Sequence, residues 1–330
     1  MSELRWNPLL KTWTMVASNR QSRPNMPKGW CPFCPGSGKV PDNYDVLKYD
    51  NDFPALTQNP LRPDVEGTEL YQTAENYGKC EVILYSPEHD KSLHELSVEH
   101  ITKLVELWTD RYVELSKDER IKYIFIFENK GEEVGVTMPH PHGQIYGYSF
   151  VPLKLKLELD SSKEYHEEHL SCILCDMNRE EKAYGERVVT ENDSFIAYIP
   201  FFTDYPYGVF IASKKHIGSF ADFDEKDKQQ LAMILKNITG AFDTMFERPF
   251  PYMMCIHQTP VNSNEYAASK DYYHFHIEFY PPLRDANRIK YYASSEMGAW
   301  AACNPLSVED TVQQLKAACE SFMKKGSRED

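Results

Sequence analysis

The strongest constraint on the fold is an order of motifs that occurs twice along the 330-residue chain. Each occurrence begins with a C-x-x-C pair and has an Asn-Asp dipeptide 17 residues after the second cysteine. An apolar run ending in Ser-x-x-His, a helical pattern, a β-like run and a His-x-His follow. The repeated parts are Cys31/Cys34, Asn51-Asp52, His89 and His140/His142, then Cys172/Cys175, Asn192-Asp193, His216 and His274/His276. A whole matching series indicates two homologous halves.

The same repeat predicts the secondary structure. Capping residues Ser97 and Asp224 each stand eight residues after the Ser-x-x-His histidine and precede apolar residues at helical spacing. β-like runs then follow at 122–127 and 251–256. We therefore expect an α/β (α+β) fold with two tandem halves, at 1–155 and 156–330. Each half should contain a mostly antiparallel sheet and one long helix.

The repeat also collects metal-ligating residues that are scattered along the chain. The first half brings together Cys31, Cys34, His89 and His140, a thiolate and imidazole set that zinc favours. The second half offers Cys172, Cys175, His216 and His274. Four protein ligands leave no vacancy for a substrate, so both zinc ions should be structural. A competing set at the second site, Glu158, His257, His274 and His276, would suit iron or zinc.

Composition excludes several classes of function. Lysine and arginine total 36 against 50 acidic residues, a formal charge of −14, which argues against binding to nucleic acid or a membrane surface. A few local arginines could still hold a phosphorylated ligand. The sequence has no apolar stretch of membrane-spanning length and no secretory pattern at its start. We therefore expect a cytoplasmic protein.

The segment from Thr137 to Gln144 carries the candidate chemistry. If a metal holds His140, then His142, two residues further on and on the same side of the strand, is left free. Its neutral imidazole is a competent nucleophile toward phosphorus. Gln144 can donate its amide to a phosphoryl oxygen. The second half has His276 and Glu278 at the matching positions, and an acid there would repel phosphate. Only the first half should be catalytic, although His142 as a second structural ligand is the alternative.

Several segments together resemble the galactose-1-phosphate uridylyltransferase family of the histidine-triad superfamily. The resemblance covers nearly the whole chain, and HPHGQ in this company is highly specific. The segments are RWNPLLKTWTMVASNRQSRP (5–24), NDFPAL (51–56), SPEHDKSL (86–93), FENKG (127–131), HPHGQIYGYSF (140–150), YHFHIEFYPPL (273–283) and RIKYY (288–292). The resemblance implies two histidine-triad-like halves and a nucleotidyltransferase active in galactose metabolism.

The reaction that the resemblance implies has two steps. His142 would attack the α-phosphorus of UDP-glucose, releasing glucose 1-phosphate and leaving a uridylylated histidine. Galactose 1-phosphate would then accept the uridylyl group, giving UDP-galactose. The resemblance also implies a homodimer with the sugar pocket near its interface.

Further binding residues follow from the resemblance, position by position. Arg20 and Arg23 match phosphate-binding arginines, and Asn51 and Asp52 match the nucleotide-binding dipeptide. The remaining matches are Asn129 and Thr137 for phosphate (the family commonly has serine at the latter), with Lys290 and Glu296 for the sugar phosphate and hexose.

Two departures from the family pattern concern the hexose. Ser294-Ser295 precede Glu296 where a tyrosine is expected, and Ala302 stands in place of a glutamine. Losing a hydrogen-bonding group from a sugar pocket can change specificity. Two alternatives therefore remain open: an ADP- or UDP-sugar phosphorylase that uses the same histidine, and a zinc-stabilised nucleotide-binding module without turnover.

Overall fold

The computed structural model describes residues 2–18 and 29–326. Within these ranges the chain forms fourteen strands and six helices. The strands are β1 (Ser2–Asn7), β2 (Thr12–Ala17), β3 (Leu47–Asp50), β4 (Thr73–Glu75), β5 (Gly78–Leu84), β6 (Tyr123–Lys130), β7 (His142–Tyr148), β8 (Val188–Glu191), β9 (Phe195–Tyr198), β10 (Val209–Ser213), β11 (Tyr252–His257), β12 (His276–Tyr280), β13 (Leu283–Asp285) and β14 (Arg288–Ile289). The helices are α1 (Val98–Ser116), α2 (Leu153–His169), α3 (Ile173–Tyr184), α4 (Glu225–Met245), α5 (Ser294–Gly298) and α6 (Val308–Gly326).

Both parts of the sequence repeat contribute to one nine-stranded sheet. Its order is β3-β5-β7-β6-β11-β12-β10-β9-β8, and every neighbouring pair is antiparallel. The unit β5-α1-β6-β7 recurs as β10-α4-β11-β12, and the two units meet where β6 pairs with β11. This mixed α/β architecture with antiparallel strands confirms the predicted fold class.

The two predicted long helices form where their caps and apolar spacing place them. Ser97 accepts a hydrogen bond from the backbone N–H of His100 at the start of α1. Asp224 caps α4 and forms a reciprocal pair with Asp227. The apolar faces of the two helices pack on the same side of the sheet in one large core, with the Trp108 side chain fully buried. Because caps and core-facing side chains agree, both helix starts are fixed locally.

Two smaller apolar clusters stand beside the C-x-x-C segments. Phe33 packs with Val82 and Leu84 of β5 near Cys31, and Leu174 packs with Tyr198 near Cys175. Each cluster also reaches the strand that leads into its Ser-x-x-His motif, β5 in the first half and, through Ala212, β10 in the second. The repeat therefore extends from the sheet to the cysteine pairs.

The expectation of one long helix per half was incomplete. Helices α2 and α6 have 17 and 19 residues, and α6 packs on α4. Neither has a repeated partner, so a search for self-similarity could not identify them. The prediction also treated each half as a sheet of its own, whereas the β6–β11 pairing makes the sheet continuous. Within the described ranges, no helix combines the length and apolar character needed to cross a bilayer.

Candidate active site and metal-ligand sets

The structure brings the first predicted ligand set together. The ligand atoms of Cys31, Cys34, His89 and His140 all lie within 4.8 Å of one another. Sγ of Cys34 lies 3.3 Å from Nδ1 of His89 and 3.7 Å from Nδ1 of His140. A zinc tetrahedron with bonds of 2.0–2.3 Å has edges of about 3.3–3.8 Å. The set therefore fits a tetrahedral zinc ion.

Outer contacts orient the ring of His140. Its Nε2 donates to the backbone carbonyl of Ser86 at 2.8 Å, which turns the lone pair of Nδ1 toward the thiols. The Tyr44 hydroxyl lies 3.1 Å from the same Nε2. Burial lowers the pKa of His140 to about 4, so the ring is neutral and suited to a metal. Burial also raises the pKa of Cys34 to about 11, so metal binding must displace a thiol proton.

The second ligand set repeats this arrangement. The ligand atoms of Cys172, Cys175, His216 and His274 also lie within 4.8 Å of one another. Nδ1 of His274 lies 3.7 Å from Cys172 Sγ and 3.3 Å from Cys175 Sγ, while its Nε2 donates to the Ser213 carbonyl at 2.8 Å. His216 presents Nδ1 to Cys175 at 3.5 Å. These spacings also match the edges of a zinc tetrahedron.

The competing set is not assembled as the sequence suggested. His274 belongs to the cysteine set, and Glu278 joins Glu158, His257 and His276 in a separate buried cluster. The correction has a simple cause: alternate residues of β12 point to one face, which places Glu278 beside His276. The two sets therefore do not compete for one histidine.

The histidines and glutamates of that cluster are already paired with one another. Nδ1 of His257 lies 2.8 Å from Glu158, and Nε2 of His276 lies 3.4 Å from Glu278. Lys154, which the sequence analysis did not single out, donates its ammonium group to Glu278. Burial opposes ionisation of Glu278, but the charge of His257 and the hydrogen bond from His276 lower its pKa. A lysine therefore already supplies positive charge to this cluster.

His142 stands at the start of β7, two residues after the ligand His140. Its Nδ1 lies 2.7 Å from the backbone carbonyl of His140. A carbonyl can only accept, so Nδ1 carries the proton and Nε2 carries the lone pair of the neutral ring. His276 has the matching bond to the carbonyl of His274, at 2.9 Å. The two differ in their neighbours, since Glu278 stands near His276 where Gln144 follows His142.

Four predicted residues line one cavity of about 350 Å³: the ligand His140 together with Asn129, Thr137 and His142. Gln144 follows two residues along β7, so it shares the face of His142. Its side-chain oxygen accepts from the Tyr146 hydroxyl at 3.3 Å. The structure therefore places the imidazole of His142 beside amide and hydroxyl groups suited to phosphoryl oxygens.

Two aromatic side chains lie between Asp52 and His142, and Asn51 precedes Asp52 in the same turn. The carboxylate of Asp52 accepts from the Tyr49 hydroxyl at 3.0 Å. The ring of Tyr49 lies 5.4 Å from Phe33, and that of Phe33 lies 6.1 Å from His142. Asn51 caps the turn after β3 by accepting from the N–H of Phe53.

Lys290 and Glu296 lie in the second half. The Lys290 ammonium donates to the Asp204 carbonyl at 2.9 Å, lies 3.6 Å from Glu296 and sits 4.0 Å from the Tyr292 ring centre. Neither residue lines the cavity that holds His142. Arg20 and Arg23 lie outside the described residues.

The sequence analysis missed Glu128, which lines the cavity at His142. It is 6% exposed and lies on β6. The available signal was the position of this acid, directly after the β-like run at 122–127 and directly before Asn129. Periodicity alone could not reveal that its side chain turns toward the helices.

Comparison with known proteins agrees with this arrangement. The family profiles described as the N-terminal and C-terminal domains of galactose-1-phosphate uridyl transferase match residues 1–152 and 158–299. The galactose-1-phosphate uridylyltransferase of Thermotoga maritima is 39% identical over 96% of this chain and 98% of its own. That of Saccharomyces cerevisiae is 32% identical over 90% and 89%.

Solved structures give the same result. A uridylyltransferase structure superposes with a TM-score of 0.88 at 31% identity, covering 97% of this chain and 99% of its own. An ADP-glucose phosphorylase from Arabidopsis thaliana with bound ADP-glucose gives a TM-score of 0.74 at 25% identity, over 96% and 99%. The chain therefore belongs to the galactose-1-phosphate uridylyltransferase family and, by that membership, is a nucleotidyltransferase.

Proposed function

We propose that this enzyme transfers a uridylyl group from UDP-glucose to galactose 1-phosphate through a covalent intermediate on His142. The observation that carries the proposal is the hydrogen bond from His142 Nδ1 to the His140 carbonyl, made beside the cavity that also holds Asn129 and Thr137. That bond selects Nε2 as the nucleophilic atom. The names of the relatives in Thermotoga maritima and Saccharomyces cerevisiae support the reaction class.

In the first step, Nε2 of His142 attacks the α-phosphorus of UDP-glucose. A nitrogen–phosphorus bond forms, and the bond from phosphorus to the oxygen of glucose 1-phosphate breaks. The ring becomes positively charged while Nδ1 keeps its proton, and the His140 carbonyl stabilises that charge. In the second step, a phosphate oxygen of galactose 1-phosphate attacks the same phosphorus. An oxygen–phosphorus bond forms, the nitrogen–phosphorus bond breaks, and UDP-galactose and the neutral histidine result.

The remaining predicted residues have roles suited to their chemistry. Asn129, Thr137 and Gln144 donate to phosphoryl oxygens, and Asp52 accepts from ribose hydroxyls. Arg20 and Arg23 add guanidinium contacts to phosphate. Lys290 and Glu296 bind the hexose phosphate. Neither residue lines the cavity at His142. From the family resemblance we infer a homodimer in which the sugar pocket lies near the interface.

Zinc at the two cysteine–histidine sets has a structural role in this proposal. Each set supplies two sulfur and two nitrogen ligands, which complete a tetrahedron and leave no position for substrate. A bound zinc ion would fix the His140 ring and, through its backbone, the position of His142. The cytoplasm would keep the four thiols reduced. Iron at the second site is less suited, because thiolates replace the oxygen ligands of the competing set.

The decisive experiment is incubation with UDP-glucose alone, followed by mass spectrometry of the intact protein. Wild-type enzyme should gain one uridylyl group, and the modified peptide should contain His142. The variant His142→Ala should gain none. His276→Ala, at the matching position of the second half, is the control and should still be labelled. Labelling of His142→Ala would exclude His142 as the nucleophile.

A second candidate function, a nucleoside-diphosphate-sugar phosphorylase, is favoured by one specific observation. The sugar-binding segment lacks the expected tyrosine and glutamine and has Ser295 and Ala302 instead. Similarity to the Arabidopsis thaliana ADP-glucose phosphorylase is compatible with this alternative. Uridylylated enzyme should therefore be mixed separately with inorganic phosphate and galactose 1-phosphate. Faster release with galactose 1-phosphate supports the transferase, and faster release with phosphate supports the phosphorylase.

A further inference from the structure

Glu128 is a buried acid at the edge of the cavity that holds His142. Its side chain is on the helix-facing side of β6, whereas that of Asn129 points to the opposite face. Phe127 pairs with Gln144 across β6 and β7, so Glu128 and Gly143 follow at the same level of the sheet. The Glu128 carboxyl group therefore lies behind the strand that presents His142.

Glu128 has no salt-bridge partner among the described residues, although the charge of nearby Lys130 lowers its pKa. The neighbouring Lys130 ammonium donates to both carboxylate oxygens of Asp243, at 2.8 and 2.7 Å. Among residues 2–18 and 29–326, no lysine, arginine or histidine forms a salt bridge with Glu128. A carboxylate here would be an additional buried negative charge, which is unfavourable.

Two tyrosine hydroxyls, those of Tyr85 and Tyr252, lie at the Glu128 carboxyl group. Oε1 accepts from the Tyr252 hydroxyl at 3.1 Å. Within the described part of the chain, Oε2 of Glu128 and the hydroxyl of Tyr85 have no hydrogen-bond partner of normal geometry. Tyr85 is nevertheless close enough to affect the pKa of Glu128. The Tyr85 hydroxyl can donate to an ionised Oε2, which lowers the pKa of Glu128, or accept from a protonated one. Burial without a salt bridge favours the protonated form.

Tyr85 connects this acid to the reactive strand. A Cβ atom placed on Gly143 would overlap the Tyr85 hydroxyl, so that hydroxyl lies directly behind the residue between His142 and Gln144. The N–H of Tyr85 also donates to the Pro141 carbonyl at 3.0 Å. Tyr85 therefore lies against the residues on both sides of His142, Pro141 before it and Gly143 after it.

We propose that Glu128 is a positioning residue for uridylyl transfer that works as a neutral carboxylic acid, donating its proton to Tyr85 behind Gly143 and leaving the cavity open to an anionic substrate. The inference rests on the proposed function. Ionised Glu128 would lose this donor and place a negative charge behind the diphosphate. Burial raises the pKa of Glu128 to about 7, which places the change near neutral pH.

Other ionisable groups surround this position. Lys130 and Asp243 form their own pair, and His94 Nδ1 lies 3.6 Å from Asp243. Tyr85 and Tyr252 have pKa values well above 10 because both are fully buried. Asp90, Lys91 and Glu132 line the cavity. Among the carboxyl groups named here, Glu128 is the one that is buried and has no salt-bridge partner.

The test is the pH dependence of the first half-reaction, measured as kcat/KM for uridylylation by UDP-glucose from pH 6.5 to 9. The diphosphate of UDP-glucose stays ionised throughout this range and its uracil N3–H begins to ionise only at the upper end, so a change around pH 7 reports on the protein. In wild-type enzyme kcat/KM should fall about tenfold per pH unit above 7, chiefly through a higher KM. In Glu128→Gln, whose amide can also donate to Tyr85, this fall should disappear. The matched control, Glu132→Gln at the exposed rim, should keep it.

A spectroscopic measurement keeps the test independent of the variant's folding. The infrared band of a protonated carboxyl group in wild-type protein should disappear with a midpoint near pH 7. Persistence of the alkaline fall in folded Glu128→Gln, or absence of a protonated band at pH 6, overturns the inference. If wild-type enzyme forms no uridylyl adduct at pH 7, the proposed function fails first. An adduct with an unchanged pH profile rejects only the role of Glu128.

Discussion

The backbone carbonyl of His140 lies 2.7 Å from Nδ1 of His142, so a member of the first cysteine–histidine set holds the ring two residues further on. The side chain of His140 faces the thiols while its carbonyl faces the candidate nucleophile. A metal ion held by this set would therefore fix the position of the candidate nucleophile without contacting the substrate.

That coupling predicts the effect of Cys34→Ser. Loss of one thiolate ligand should release zinc, free the His140 ring from its anchor and lower the rate of uridylylation by more than about tenfold. Metal analysis and the rate of adduct formation from UDP-glucose measure the two effects. The exposed Cys303→Ser is the control and should retain both metal and rate. Full activity in a metal-free Cys34→Ser protein would contradict the coupling.

Gly143→Ala should disturb the strand that presents His142. The added methyl group would overlap the Tyr85 hydroxyl and lie 3.0 Å from the Phe127 carbonyl oxygen. We expect the free energy of unfolding to fall by about 1–3 kcal/mol and uridylylation to slow. Urea denaturation and adduct formation provide the measurements.

The double variant Gly143→Ala/Tyr85→Phe tests the origin of that effect. Removing the hydroxyl removes the closest overlap, so the double variant should recover part of the lost stability relative to the sum of the single changes. Simple additivity would mean that the Tyr85 hydroxyl is not the obstacle.

Much of the first half could be predicted from the sequence because its determinants are local. Ser97 caps α1, apolar residues at helical spacing bury its inner face, and the two C-x-x-C pairs each form a tight chelating turn. The repeat then linked cysteines to histidines more than 50 residues away, as in Cys34 and His89. Self-similarity thus supplied long-range information that a single motif lacks.

The sequence could not separate the two clusters of the second half. His274 and His276 are two residues apart, and spacing alone does not decide which ring joins the cysteines and which joins the acidic cluster. The side-chain alternation of β12 and the position of Lys154 on α2 decide it. Glu128 was missed for a related reason: its significance depends on its burial and on the pairing of Lys130 with Asp243 instead, which are properties of the packed structure.

Lys154 and Glu278 should be energetically coupled. The lysine donates to Glu278 and lies 3.6 Å from Glu158. Lys154→Met should reduce the free energy of unfolding by about 1–2 kcal/mol, because the lysine is partly exposed but its partner is buried. The added change Glu278→Gln should cost less in the Lys154→Met background than in wild type. A double-mutant cycle in urea measures the coupling, and a coupling energy near zero would contradict it.

The raised pKa of Glu128 also predicts a dependence of stability on pH. In the unfolded chain the carboxyl group ionises near 4.5, whereas in the folded protein its pKa is about 7. Between these values the folded state holds more protons, so this group lowers the free energy of unfolding as pH rises. Relative to wild type, Glu128→Gln should therefore gain up to about 3 kcal/mol between pH 4.5 and pH 8. Urea midpoints of both proteins across this range test the sign; a constant difference would contradict it.

The second cysteine–histidine set should matter for folding and much less for the chemistry. His274 orients His276 as His140 orients His142, but the ring of His276 lies beside the acidic Glu278 and cannot serve an anionic substrate in the same way. Cys175→Ser should therefore release the second zinc ion and lower the melting temperature, while the initial rate of uridylylation by folded protein changes less than in Cys34→Ser. Measuring both variants at a temperature where each remains folded separates stability from rate. Equal losses of rate would show that the two halves are coupled through the β6–β11 junction more tightly than the local hydrogen bonds indicate.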